Sequence, residues 1–309
     1  MNNLKVSASP HIHDGSSTYR IMLDVIIALS PAVVTSILFF GFRALILIIV
    51  TVSSCVASEV FSRRIMKRNI DTYKDLSAVV TGLLLALSLP VTMPLWMAAM
   101  GAIVSIVIVK QCFGGLGHNF VNPAIVGRLF LMFSYPIATN ATWQSPRFFG
   151  YYDAITQATP LVQISNGEPM NLLHLFLGLH SGSLGETSIL ALLLGGGYLI
   201  IRRIIRPTVP VIFIGTTCVV VLLAGENPLL HVLSGSLVFV AIFMATDYVT
   251  SPITTKGRLI FAIGCGVITA VIRLYGALPE GVSFAILIMN ILVPLIERYT
   301  IPKAFGAVG

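Results

Sequence analysis

Apolar residues in this chain come in runs long enough to cross a lipid bilayer, separated by short polar stretches. A hydrocarbon core about 30 Å thick needs roughly 20 apolar residues per helical crossing. The runs predict spans at 21–40, 43–61, 76–92, 95–112 and 118–135, then a long interruption, then 187–205, 208–225, 229–246, 257–275 and 281–298. The expected fold class is an all-α polytopic integral membrane protein with about ten transmembrane helices. It divides into a tail (1–20), a five-helix unit (21–135), a loop (136–186), a second five-helix unit (187–298) and a closing tail (299–309). Residues 1–20 are polar throughout and do not read as a cleaved secretory signal, so they are expected to persist as a tail.

Composition agrees with this reading. Of 309 residues 56% are hydrophobic and 10% charged, against about 25% charged in soluble domains, too few polar side chains to cover a water-facing surface. A formal charge of +7 could suggest nucleic acid, but the Lys and Arg lie scattered between apolar runs, a pattern of membrane orientation. Lipid, not nucleic acid, is the expected surrounding. With the N-terminus cytoplasmic, 15 of the 19 basic residues fall in inside segments. Arg43, Arg147 and Arg273 lie outside, and Arg128 lies within a span. Both termini are therefore expected in the cytoplasm and loop 136–186 outside.

The two halves resemble each other. Residues 76–90 (LSAVVTGLLLALSLP) match 233–247 (LSGSLVFVAIFMATD), and 110–124 (KQCFGGLGHNFVNPA) match 273–286 (RLYGALPEGVSFAI) in their basic–aromatic–Gly opening. Five spans per half is an odd number, so the copies would be inverted. The third span is broken by Pro90 and Pro94, the eighth by Asp247, Ser251 and Pro252. Interrupted spans at equivalent places point to a site at the repeat interface, built from helix ends; ordinary turns between helices are the alternative.

Charges inside a membrane are costly and usually face a partner or a wet cavity. Asp24, Arg128 and Asp247 are the candidates, with Asn119, Asn122 and Asn290 as neutral hydrogen-bonding groups. Asp24 lies one turn into its span and suits an interfacial role as well as a functional one. Arg128 follows Asn122-Pro123-Ala124 on a helix whose start could offer free N–H groups to an anion such as a phosphate or reduced flavin; capping a neighbouring helix is the alternative. His118, His11 and His13 belong to no group of three or four ligands, so no metal is expected. Cys55, Cys112, Cys218 and Cys265 lack any C-x-x-C spacing and read as small thiols. In the long loop, residues 153–161 read DAITQATPL, placing the hydroxyls of Thr156 and Thr159 where a modifying enzyme could reach them. By composition alone an ordinary hydrogen-bonded turn is the better reading.

The pattern Asp153-x-x-Thr156-x-Ala-Thr159 resembles the site at which a flavin transferase attaches FMN through its phosphate to the last threonine, with Gln157 where Gly is frequent. Taken with GGLGHNFVNPAIVGRLFL (114–131), ATDYVTSPITTKGR (245–258) and RLYGALPEGVSFAILIMN (273–290), the chain resembles the D-subunit family of the Rnf electron-transport complex. It is more distantly similar to the B subunit of the sodium-pumping NADH:quinone reductase. The resemblance covers nearly the whole chain. It implies two inverted five-helix repeats of urea-transporter-like fold and covalent FMN on Thr159, with Asp153 and Thr156 in the recognition sequence and Arg128 and Asn122 as candidate flavin contacts. A noncovalent riboflavin is a further implied cofactor. It also implies a role as one relay in ferredoxin–NAD electron transfer coupled to Na⁺ or H⁺ movement in the cell membrane. The implied partners are the other Rnf complex subunits (the membrane subunits A and E, the flavin-bearing G component, and the cluster subunits B and C), with a flavin transferase for maturation. This chain would hold no complete active site and no catalytic residue of its own. Two other readings of the same chain are a solute or ion channel without redox role, which would carry no flavin, and a scaffold for other subunits, which would tolerate loss of Thr159.

Overall fold

The computed structural model describes residues 17–67, 75–140, 143–146, 158–276 and 280–301. Within these the chain forms α1 (Thr18–Phe40), α2 (Phe42–Ile65), α3 (Ser77–Leu87), α4 (Leu95–Ile103), α5 (Pro123–Ser134), α6 (Pro136–Asn140), α7 (Pro160–Ser165) and α8 (Leu172–Leu177). Then come α9 (Ile189–Ile201), α10 (Thr208–Leu223), α11 (Pro228–Leu233), α12 (Leu237–Phe243), α13 (Thr255–Tyr275) and α14 (Val282–Thr300). No strand element occurs among the described residues. Helix starts obey local chemistry: Ser17, Asn122, Asn171, Ser188, Asn227 and Thr254 each accept a first-turn N–H on their side chain. Pro123, Pro160 and Pro228 occupy first-turn positions, where a missing N–H costs nothing. Gly41, at φ +70°, makes the sharp corner between α1 and α2.

Four helices, α1, α2, α13 and α14, are long and apolar enough to cross a membrane; α3, α5, α9, α10 and α4 with its continuation to Gln111 are shorter apolar helices. The protein is thus a multi-pass membrane protein. Val34, Phe42, Ile49, Phe61, Val219 and Leu222 stay exposed, as lipid-facing side chains do when the solvent is itself apolar. The core lies where helices meet: α2 packs on α3 and α4, α10 on α11, α12 and α13, α4 on α5, and α13 on α14. The halves meet where α1 packs on α9 and α5 on α14. Every residue of α12, and all of α3 except Val79, is buried.

Three expected spans are only partly helical. In 76–92 the helix has 11 residues, in 118–135 it has 12, and 229–246 holds pieces of 6 and 7. An 11-residue helix is about 16 Å long, half a bilayer core. Where α3 ends, carbonyls of the chain that follows are satisfied by protein, the condition for irregular chain at membrane depth. Leu87 and Leu89 carbonyls, at and just past the end of α3, accept from Gly185 N (2.7 Å) and Leu184 N (3.1 Å). Val91 and Thr92 carbonyls accept from Arg43 Nε (3.0 Å) and Nη2 (3.2 Å). The interruption 136–186 is also more structured than a surface loop: it contains α6, α7 and α8, and its last residues, 180–186, are buried without a break.

Candidate functional site

Polar side chains gather at the two ends of the helix bundle. One end, the basic end, carries Arg63, Lys110, Arg202, Arg203 and Arg258; the far end carries Thr159, Arg273 and Glu280.

At the basic end α4 continues as a π-helix, Val104–Gln111. A π turn holds an extra residue and so rotates the side chains beyond it; here it ends with Lys110 and Gln111 buried against α2. Lys110 Nζ donates to both oxygens of Glu59 (3.0 and 3.2 Å) and to Ser77 Oγ (2.5 Å). Arg63 (2.5 Å) and Gln111 (2.9 Å) complete the shell of Glu59. Asp75 accepts from Ser77 N (3.0 Å) and Oγ (2.6 Å), and lies 3.8 Å from Arg63. Beside this network a cleft opens between the halves, lined by Lys110, Asn119, Asn122, Asp247 and Tyr248 among apolar side chains of α1, α3 and α9. Asp24 meets Tyr198 (2.7 Å) and Arg202 (3.1 Å) where α1 packs on α9.

Midway, the Asn290 amide of α14 donates to Thr250 O (3.0 Å) and accepts from Asn122 N (3.1 Å), in the orientation that satisfies both of its ends. Arg128 of α5 in turn pairs with Glu280, just before α14. Each half's fifth helix therefore reaches the turn that precedes the other's.

At the far end Arg273 of α13 is buried and donates to the carbonyls of His231 and Ser234 (Ser234 3.2 Å). Glu280 and Glu186 both lie within electrostatic reach of it. Thr159 caps the six-residue α7 with extended backbone (φ −66°, ψ 156°), and its hydroxyl makes no capping bond. The preceding carbonyl, Ala158 O, accepts from Ser181 Oγ at 2.7 Å, which pins the segment from below. Leu161 reaches Gly235: a Cβ there would lie 2.8 Å from Leu161 Cδ1 and 3.1 Å from Arg273 Nη2. The guanidinium beside the Thr159 segment is thus that of Arg273. Many buried polar atoms around it lack a protein partner, among them Glu186 Oε2, His180 Nε2, Ser183 Oγ, Ser234 Oγ, Ser236 Oγ, Arg273 Nε and Arg128 Nη1.

The expected site residues separate accordingly. Asp153 and Thr156 lie outside the described residues, as do His11 and His13. Asn122 is at the basic-end cleft, and its Oδ1 already accepts from Ala124 N (3.0 Å) and Ile125 N (3.4 Å), so that helix start does not present free donors to an anion. Arg128, six residues further and about 9 Å along the helix, joins the far-end ensemble through Glu280. Asp247 caps its own turn, accepting from Val249 N (3.4 Å) and Thr250 Oγ1 (3.1 Å). Among the described residues no group of His, Cys, Asp and Glu could hold a metal ion, and all four cysteines are free. Reading by spans missed Glu59, Glu186 and Arg273, which stand at run ends. The internal similarity carried a usable signal, since it aligns Lys110 with Arg273 and Ser77 with Ser234.

The model of the NQR2, RnfD, RnfE family matches residues 5–306. The chain is 48% identical to the D subunit of the Na⁺-translocating ferredoxin:NAD⁺ oxidoreductase complex of Acetobacterium woodii, over 98% of this chain and 96% of that one. It is 41% identical to the D subunit of the proton-translocating ferredoxin:NAD⁺ oxidoreductase complex of Clostridium ljungdahlii, over 99% and 97%. It is 39% identical to the D subunit of the ion-translocating oxidoreductase complex of Stutzerimonas stutzeri, over 94% and 93%. With a family match across nearly its whole length and end-to-end likeness to these proteins, the chain belongs to the NQR2, RnfD, RnfE family.

Proposed function

We propose that this chain is the D subunit, in the membrane, of an Rnf-type complex coupling ferredoxin–NAD electron transfer to Na⁺ or H⁺ translocation, and that it carries FMN covalently on Thr159. The observation that carries the flavin assignment is the setting of that threonine. Its hydroxyl makes no capping bond, its backbone is pinned by Ser181, and beneath it lie buried donors and acceptors without protein partners. Leaving so many buried polar atoms unpaired is costly unless something fills the need, and a flavin's polar ring edge and ribityl hydroxyls fit the serine, histidine and arginine groups among them. Bound there, the flavin supplies electron transfer in steps of one or two. The chain's own residues hold and orient: Thr159 by the phosphoester, Arg273 by the nearest positive charge, and the Arg128–Glu280 pair by fixing α5 against the start of α14. Asp153 and Thr156 complete the sequence read by the flavin transferase.

The proposed architecture is ten crossings in two inverted repeats of urea-transporter-like fold. It is supported by a matched pair of contacts: Lys110 at the end of α4 binds Ser77 at the start of α3, and Arg273 at the end of α13 binds Ser234 ahead of α12. The basic end is proposed to face the cytoplasm with both termini, and the flavin segment to face outward across the cell membrane. The basic-end cleft, apolar with a few amide and charged groups, suits a second, noncovalent flavin such as riboflavin. The remaining membrane, flavin and cluster subunits (A, E, G, B and C) are the proposed partners, supplying the ferredoxin and NAD sites.

The test is the mass of the purified chain. It should exceed the sequence mass by one FMN, and Thr159→Ala should abolish flavin fluorescence of the denatured protein in a gel while leaving the helical fold intact. A fluorescent band surviving that substitution would reject Thr159 as the attachment site.

A further inference from the structure

Residues 180–188, between α8 and α9, are buried at every position yet form neither helix nor strand. They fold back on themselves at the broken end of α3, giving Leu184 N and Gly185 N to its last carbonyls. Within this loop sits Glu186, 3% exposed. Its Oε1 accepts from Ser183 N at 2.8 Å, while Oε2 has no protein partner. Gly182 leaves the space this needs, since a Cβ there would lie 2.7 Å from Oε1. The loop is joined to the Thr159 segment by Ser181 Oγ, which binds Ala158 O.

The charged groups within reach of Glu186 are Arg273 of α13, which also binds the His231 carbonyl of α11, and Glu280 before α14, which pairs with Arg128 of α5; His180 stands in its own loop. Two guanidinium and two carboxylate groups give a formally neutral ensemble. An electron arriving nearby unbalances it, and in a poorly polarisable interior an uncompensated charge is costly. The arginines cannot answer, because they do not deprotonate or take up a further proton in proteins. Glu280 is engaged directly by Arg128. Burial holds the His180 imidazole below its ordinary range and therefore neutral. Glu186 has both a titratable carboxylate and a free oxygen on which to place a proton.

We propose that Glu186 is the proton-exchanging carboxylate of the far-end site, binding one proton when the group tethered at Thr159 takes up its first electron. The inference rests on the flavin reading of that threonine. The electron comes from a one-electron carrier of the complex, of the iron–sulfur or flavin class. The proton comes from water at that end of the bundle, where Leu179 and Ala158 are exposed. One O–H bond of a hydronium ion breaks as one forms at Glu186 Oε2, no covalent bond of the protein breaks, and the proton gained by the ensemble offsets the electron gained by the tethered group. Reoxidation returns the proton. Glu186 acts through the field it shares with the tethered group and is a positioning residue for charge, without contact to the reacting atoms being required.

The experiment is redox-difference infrared spectroscopy on the purified full chain with its covalent flavin, followed by titration of the flavin midpoint potential against pH. Reduction of the parent should bring up a protonated-carboxyl C=O stretch. Glu186→Gln should keep its flavin, lose that band and flatten the pH dependence of the potential, while Glu186→Asp should keep the band at a shifted frequency. The same band in Glu186→Gln overturns the proposal and leaves the flavin reading intact. Where the Gln variant fails to fold, an unshifted band in Glu186→Asp overturns it equally. A parent chain without covalent flavin overturns both.

Discussion

The two polar ensembles, one around Glu59 and one around Arg273, differ in how completely they are satisfied. At the basic end Glu59 is surrounded by Arg63, Lys110 and Gln111, and Lys110 spends its remaining donor capacity on Ser77, while Arg63 Nη1 stays a buried atom without a protein partner. At the far end Arg273 plays the part of Lys110, but its neighbours Glu186, Ser234 and Ser236 keep buried atoms with no protein partner. A network in which nearly every buried charge is paired fixes geometry, because any displacement exposes an unpaired ion. An open one is stable only with something further to bind. The contrast separates a network that locks helices together from one that keeps several polar atoms unpaired, although in both a buried basic residue binds a serine beside a short helix.

Three substitutions, taken from the largest expected effect to the smallest, would sharpen or break that contrast. Lys110→Met removes one side of a buried, charge-assisted network and should lower stability by about 3–5 kcal/mol. Thermal unfolding in detergent measures it, and the double variant Glu59→Leu/Lys110→Met should recover part of the loss. A Lys110→Met protein as stable as the parent would remove the idea of a lock. Gly235→Ala tests the far end by shape: Gly235 has φ +68° and touches both Leu161 and Arg273. A side chain in that conformation costs about 1–2 kcal/mol, and displacing Leu161 should reduce flavin attachment at Thr159, read as the flavin-to-protein absorbance ratio. Unchanged occupancy would mean that the segment is not positioned through this contact. Asp24→Asn should have the smallest effect, because Arg202 is 55% exposed and water screens the pair. Its unfolding midpoint should stay close to the parent's, and a fall comparable to that of Lys110→Met would show that the α1–α9 seam, and not the Glu59 network, holds the halves together.

Much of the fold could be read from apolar runs. The four long helices begin and end within a few residues of the runs that predicted them, since a membrane crossing demands length and apolar content and both are written locally. Less visible was how far spans 76–92, 118–135 and 229–246 depart from helix. Apolar content is the same whether a buried segment is helical or extended. What permits extended chain at that depth is a partner for its carbonyls, here Arg43 and the 184–185 backbone, from elsewhere in the sequence. The candidate site divided in the same way. The motif proposed for flavin attachment at Thr159 was legible because its residues are contiguous in the sequence. Arg128 and Asn122, close in sequence, serve opposite ends because α5 carries them apart.

By itself, then, the sequence determined that this protein lives in a membrane and which family it belongs to, because hydropathy and short motifs are properties of contiguous residues. Only the tertiary structure decided which charges are paired and which are left open: Glu59 with Lys110, Arg128 with Glu280, Glu186 with one oxygen free. The reason is that a buried charge is stabilised or left wanting by groups tens to hundreds of residues away, and the energy of that pairing depends on distance in space.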